Sequence, residues 1–441
     1  MAREARGALG LSMTRGTGIL CRWGWFVAFW VGIAIPAFAL LMQESTPDLI
    51  KIADEMTLKV VRLRGLEPSG PIHKGVKSRE EISRYLNEHI RSNYDEDELL
   101  RSGRMLQKLA LIPAGMNYRE FMLLLLTEQV GGFYDPEKKT FFIAGWLPAD
   151  QQKPVMVHEL THALQDQHYD LNRLMQEDRK LQNDDRLLAH MAFFEGDATA
   201  VMLDFLLEPA GRNFTQLPNL VFIMHSQFSS MEAQFEVFRQ APTFIKETLV
   251  FPYAFGAAFL QNVRASQPWT AVNKIYADLP ASTEQVMHPE KYLGIPRDNP
   301  RTLEMADPSS RLGNGWKITY KNVLGEFTLS LMLRTHLAEG RTKAAAGGWG
   351  GDKVYLLEDK NGAAAVFCAS VWDTPYDADE FYQAMGDWLQ AQYPKSHRVD
   401  ESASGYGLIQ SGEYHSLKKD GSRVEFVIGL PEADSSKIRT H

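Results

Sequence analysis

The chain has 441 residues, a formal net charge of −8 and two cysteines. Hydrophobic residues make up 44 % and charged residues 23 %, proportions that exclude a disordered chain, a collagen-like fibre and a polytopic membrane protein. The acidic balance argues against a nucleic-acid partner, because phosphate backbones demand clustered Lys and Arg, and the length suggests about two to three domains.

The first segment is basic and then apolar. Arg3, Arg6, Arg15 and Arg22 precede an apolar stretch at 23–41 that ends in Ala37-Phe38-Ala39. This is the charged, apolar and small-residue order of a secretory signal, here 1–39. Left uncleaved, the stretch is close to the roughly 20 apolar residues that span a bilayer and would attach the chain to a membrane through 23–41. Either way the remainder is expected to be exported, periplasmic or extracellular or anchored, since the arginines stay inside. The signal carries +3, which leaves −11 on residues 40–441. Cys21 lies at the edge of the apolar segment and Cys368 in an apolar strand pattern, so no disulfide framework is expected.

Beyond the signal, Leu49, Ile52, Met56 and Val60 form one stripe and predict a helix over 47–64. A loop rich in Gly and Pro is expected at 65–75, then helices at 78–91, 96–111 and 117–129. Apolar runs at 130–134 and 140–143 flank Asp135-Pro136-Glu137-Lys138-Lys139 and read as a β-hairpin. Long helices are predicted over 154–175 and 184–207, with more helix around 231–247 and 254–263. Pro296, Pro300, Pro308, Gly313 and Gly315 mark a linker near 295–315. After it, helices at 323–337 and 377–393 and strands at 353–357, 363–371, 406–410 and 423–428 predict a small second unit. The fold class expected is therefore α+β: a mostly helical domain over 45–305 with a small hairpin or sheet, followed by an α+β domain over 316–441 of unknown role.

The strongest chemical signal is His158-Glu159-Leu160-Thr161-His162. Residues four apart share a helix face, so the two imidazoles can grip one zinc ion, Zn2+, and Glu159 can reach a water bound to it as general base and acid. Catalytic zinc takes a third protein ligand and keeps one position open. Glu195, in Phe194-Glu195-Gly196-Asp197-Ala198 on the next predicted helix, is the best candidate, because its apolar neighbours demand that an acid there be paired or metal-bound. Gly196 is expected to let that helix approach closely. Asp197, Asp166 and His190 are substitutes for the third ligand. Asp166, four residues past His162, could instead orient a ligand imidazole from behind, and Asp197 could serve the site similarly.

His-Glu-x-x-His followed by Glu-Gly-x-Ala resembles the gluzincin class of zinc metallopeptidases, which includes thermolysin-like and membrane-alanyl-aminopeptidase-like enzymes. The strings from His158 to His168 and from Glu195 to Ala198 also resemble uncharacterised exported bacterial zincins. The resemblance covers about 128–295. It implies a metal site between two helices beside a small sheet, and an edge strand, 140–144 or its hairpin partner, that binds an extended protein or peptide substrate by backbone pairing. Pro252-Tyr253-Ala254-Phe255-Gly256 is similar to the segment that carries the transition-state tyrosine in the aminopeptidase branch, which implies Tyr253 as oxyanion donor. A second candidate for that role is His288, in a polar stretch beside turn residues. Near the place where the aminopeptidases carry the glutamate that holds the substrate amine, this chain has Gly131-Gly132-Phe133-Tyr134-Asp135, so endopeptidase is the expected activity. The alternatives are a zinc-binding envelope chaperone or assembly factor that does not cut, and a zinc hydrolase of a non-peptide amide.

Overall fold

The computed structural model describes residues 46–93, 96–129, 132–313 and 315–439. The export or anchor segment lies outside the described residues. Among the described residues no helix is long and apolar enough to cross a membrane.

The first part of the chain is helical around one small sheet, and the expected α+β class holds. It runs α1 (Thr46–Arg64), β1 (His73–Lys77), α2 (Arg79–Asn93), α3 (Glu96–Lys108), α4 (Tyr118–Gln129), β2 (Gly132–Asp135), β3 (Thr140–Ala144), α5 (Ala149–Tyr169), α6 (Leu171–Arg179) and α7 (Asp184–Leu207). There follow α8 (Leu220–Met231), α9 (Glu236–Gln240), α10 (Thr243–Arg264), α11 (Trp269–Ile275), α12 (Thr283–Met287), α13 (Pro289–Leu293) and α14 (Ser309–Leu312). The second part is β4 (Lys317–Asn322), α15 (Gly325–Arg334), α16 (Glu339–Ala346), β5 (Trp349–Glu358), β6 (Ala364–Trp372), α17 (Pro375–Gln392), β7 (His397–Ser402), β8 (Gly405–Gln410), β9 (Glu413–Asp420), β10 (Arg423–Pro431) and α18 (Glu432–Ser435).

Three departures from expectation shape the site. First, the hairpin has a third strand. β1 lies in the expected loop and pairs parallel to β3, giving the order β1-β3-β2. β3 is therefore central, so 140–144 is no edge strand; the edge on the side of the hairpin partner is β2. Second, the helix that carries the two histidines starts at Ala149 and stops at Tyr169, earlier at both ends than expected. Asp170 takes a left-handed conformation (φ 51°), its N–H bonds to the Asp166 carbonyl, and its carboxylate accepts from Arg173 N to start α6. Third, Pro252 does not break α10, which is continuous through it. The loss from an interior proline, about 3 kcal/mol, is offset by burial along the length of the helix, from Phe244 to Val263.

α7 has the bounds the sequence predicts, opened by Asn183, whose side chain accepts from Arg186 N at 2.9 Å. The close approach expected of Gly196 is made to α10 rather than to α5. A Cβ on Gly196 would meet the Gly256 carbonyl carbon at 2.3 Å, and one on Gly256 would meet the Ala192 oxygen at 1.8 Å. Backbone thus rests on backbone between the helix that carries Glu195 and the helix that carries Tyr253.

The second part is a seven-stranded antiparallel sheet in the order β4-β5-β6-β10-β9-β8-β7. β4, β7 and β9 are additions to the expected strands. One apolar core runs without a break from α3 and α4 through α7 and α10 to α15, the sheet and α17. The sheet unit also holds α7 by its N-terminus, where Asn322 Oδ1 accepts from Asp184 N at 2.8 Å, and holds α10 where Phe327 packs on Phe251 with ring centroids 4.3 Å apart.

Candidate metal centre

The helix face of His158 and His162 meets Glu195 of α7 among buried side chains. The Glu195 Oε2 atom lies 2.9 Å from His158 Nε2 and 3.3 Å from His162 Nε2, and the two Nε2 atoms are 3.1 Å apart. Exposure is 3 % for His158, 6 % for His162 and 5 % for Glu195. Tetrahedral ligands about 2.0–2.2 Å from a common zinc lie roughly 3.3–3.5 Å from one another. The observed triangle is slightly tighter, and small outward movements would admit an ion.

The charges point the same way. Burial would raise the Glu195 carboxyl, but His162 and the hydrogen bonds from both imidazoles hold it down at about 2. Burial opposes a charge on His162, yet Glu195 outweighs it and lifts that imidazole to about 9. Burial keeps His158 below its usual value, the neutral form that ligates metals. The cluster meets its own anion with a proton on His162. Among the described residues no Lys or Arg forms an ion pair with Glu159 or Glu195. The site asks for positive charge and has the donor set of a zinc ligand sphere.

Glu159 is 3 % exposed and accepts from the backbone N–H of Tyr134 in β2 at 2.6 Å. Burial pushes its carboxyl up to about 8, with Glu195 adding to the rise and His162 and the Tyr134 N–H opposing it. Tyr253 stands beside the cluster, its ring stacked on His158 with centroids 5.9 Å apart and tilted against Phe228 at 5.7 Å.

The other candidates are engaged elsewhere. Asp166 accepts from the Tyr134 hydroxyl (2.8 Å), Lys139 (2.6 Å) and Leu171 N (3.0 Å), and so ties the hairpin to α5 instead of orienting an imidazole. Asp197 is fully buried, takes Arg64 of α1 in a two-point ion pair (2.6 and 3.0 Å) and accepts from the Tyr276 hydroxyl at 2.7 Å. It pins α1 to α7. His190 is paired through Nδ1 with Asp178 of α6. His288, the second oxyanion candidate, does not join the cluster. Its Nε2 is 2.9 Å from Glu326 Oε1 of α15, and its other ion pair is with Glu290. Two participants escaped the sequence reading: Tyr134, which acts through its backbone, and Gln165, whose Oε1 is 2.8 Å from His162 Nδ1. Gln165 is three residues past His162 and shares its helix face just as Asp166 does, a signal open to the sequence.

A second group of acids also converges: Glu284, Asp298 and Asp373. Lys291 fills it, its Nζ 2.6, 2.9 and 2.9 Å from the three carboxylates.

Residues 314–439 match a family described as a domain of unknown function, DUF8575. No curated protein matches the chain. Among solved structures, one from Chloroflexus aurantiacus, provisionally assigned as a hydrolase with a novel fold, is similar at 18 % identity over 64 % of this chain and 97 % of that one, with a TM-score of 0.35. A likeness of that size carries no argument about the fold or chemistry of this chain.

Proposed function

We propose that the chain is an exported zinc-dependent metallopeptidase, an endopeptidase of the gluzincin type, with His158, His162 and Glu195 as the metal ligands. The observation that carries this reading is the buried triangle of two imidazoles and a carboxylate with Glu159 one residue round the same helix. A zinc ion held there supplies a Lewis acid that polarises a substrate carbonyl and makes water acidic near neutral pH. Glu159 takes the proton of the attacking water and returns it to the leaving amine. The Tyr134 N–H holds one carboxylate oxygen of Glu159 and leaves the other for that transfer. β2 is the end strand of the sheet on the hairpin-partner side, with all four residues buried, and an extended peptide would pair with it through backbone groups other than the Tyr134 N–H, which Glu159 holds. Tyr253, stacked on His158, is the oxyanion donor.

The test is hydrolysis of an unfolded protein by the wild type and by Glu159→Gln, with zinc content measured in both. The reading requires equal zinc and a large loss of cleavage in the variant. Equal cleavage sinks the mechanism, and a zinc-loaded wild type that cuts nothing across a substrate library favours a silent metal-binding protein. Cleavage confined to non-peptide amides would keep the site and move the substrate.

A further inference from the structure

We infer that Gln165 is the positioning residue of this centre: one amide sets the imidazole of His162 on α5 against the turn of α7 that carries Glu195. The inference rests on the metal reading above. Gln165 is fully buried, and each end of its amide has one partner, His162 on its own helix and Phe194 on α7. Its Nε2 donates to the Phe194 carbonyl at 3.1 Å, and its Oε1 lies 2.8 Å from His162 Nδ1.

The chemistry of the partners fixes the arrangement. A carbonyl oxygen only accepts, so the amide end facing Phe194 is the NH₂ group. The end facing His162 is then the oxygen, which also only accepts. His162 therefore carries a proton on Nδ1 whatever its charge, and Nε2, which faces His158 and Glu195, is the nitrogen whose lone pair becomes available to a metal when the second proton leaves. The tautomer required of a metal ligand follows from a contact to α7, not from the metal. Phe194 immediately precedes Glu195, so the same amide registers the third ligand against the second.

Only glutamine serves both ends at this length. Glutamate keeps the acceptor for His162 but has no hydrogen for Phe194. Leucine keeps the volume and serves neither. Asparagine has both groups on a stem one methylene short. The neutral acceptor also adds no negative charge to a buried site that already holds Glu159 and Glu195.

The experiment is metal affinity of the purified full-length protein at one fixed pH, by competition with a chromophoric chelator. The visible spectrum of the cobalt(II)-substituted protein and the unfolding temperature of the metal-free protein accompany it. Gln165→Leu is expected to weaken zinc by about 10–100-fold and to alter the cobalt bands. Gln165→Glu keeps the bond to His162 and loses the one to Phe194, so it is expected to weaken zinc less than Gln165→Leu does and to leave the cobalt bands nearer those of the wild type. Both should lower the unfolding temperature of the metal-free protein, since both abandon the Phe194 carbonyl. A purely structural glutamine would show that fall with no change in affinity or spectrum for Gln165→Leu, and that result overturns the inference. If Gln165→Leu does not fold, Gln165→Asn takes its place with the same expected loss and the same overturning result. Failure of the wild type to bind zinc or cobalt overturns the metal reading itself, which the wild-type arm shows before any variant is compared.

Discussion

Two places in the molecule each gather three side chains of metal-binding type, and they differ in where the positive charge comes from. At Glu284, Asp298 and Asp373 the cation is part of the chain: the Lys291 ammonium sits between the three carboxylates, with Asp373 exposed at the rim. At His158, His162 and Glu195 no Lys or Arg of the described residues comes in, and the three atoms face one another among buried side chains. Converging acids do not by themselves make a metal centre. The features that set the second place apart are convergence without a Lys or Arg, imidazoles among the converging groups and a further acid beside them.

The comparison is tested most severely at Glu159. Replacing it by Gln is expected to lower peptide hydrolysis by about 10²–10⁴-fold, the usual share of a general acid–base, while zinc stays bound. Parallel loss of metal and activity would mean that Glu159 holds the ion instead of serving the water. Next comes Glu195→Gln, which removes the one anion among the ligands. Zinc affinity should fall by at least about a hundredfold, beyond the range of an outer partner of a ligand. Retention of zinc would pass the role of third ligand to another residue.

Lys291→Met empties the other cluster of its cation. Breaking a buried ion pair costs about 3–5 kcal/mol, and partial exposure of Lys291 and Asp298 brings the expected loss in urea unfolding to about 3 kcal/mol. Millimolar calcium should then raise the melting temperature of the variant and leave that of the wild type where it was. A wild type that responds to calcium would erase the distinction between the clusters. The smallest effect concerns an imidazole buried outside both. His415 is fully buried, its Nδ1 accepts from Gly429 N at 3.1 Å, and its ring stacks on Tyr393. Burial pushes it down to about 4. The folded state holds this imidazole neutral while the unfolded chain takes up a proton near 6.5, so its contribution is whole above about pH 6.5 and is lost as pH falls towards 4. At pH 5.5 the loss is about 1.4 kcal/mol. His415→Gln should remove that part of the acid sensitivity; unchanged steepness between pH 7.5 and 5.5 in denaturant titrations would count against it.

The sequence is most legible where local signals and tertiary contacts agree. α7 is capped by Asn183 and buried without a break from Leu187 to Met202, and its bounds are those the pattern predicts. The buried grouping of His158, His162 and Glu195 is equally legible, because spacing on one helix and an acid among apolar neighbours are local facts. β1 is not: His73-Lys74-Gly75-Val76-Lys77 has no apolar alternation and becomes a strand by lying against β3. Pro252 misleads in the other direction, since the packing that keeps α10 whole is contributed by other elements. His288 looks catalytic in sequence because it is polar and close to turns, but Glu326, which holds it, comes from the far side of the linker. Gln165 and Asp166 are neighbours of equal promise on the same helix face, and only the position of α7 decides between them.

The seam between Gly196 and Gly256 works as a gauge block. With Ala192, it brings α7 and α10 together backbone to backbone, so no rotamer choice can widen or narrow the gap. Glu195 lies one residue from the seam and Tyr253 one helical turn from it, which sets their relative depth by the thickness of the main chain. Sequence drift over the outer faces of these helices can reshape what lies above the centre without altering that spacing. A single methyl group at the seam would change the spacing first and the chemistry with it.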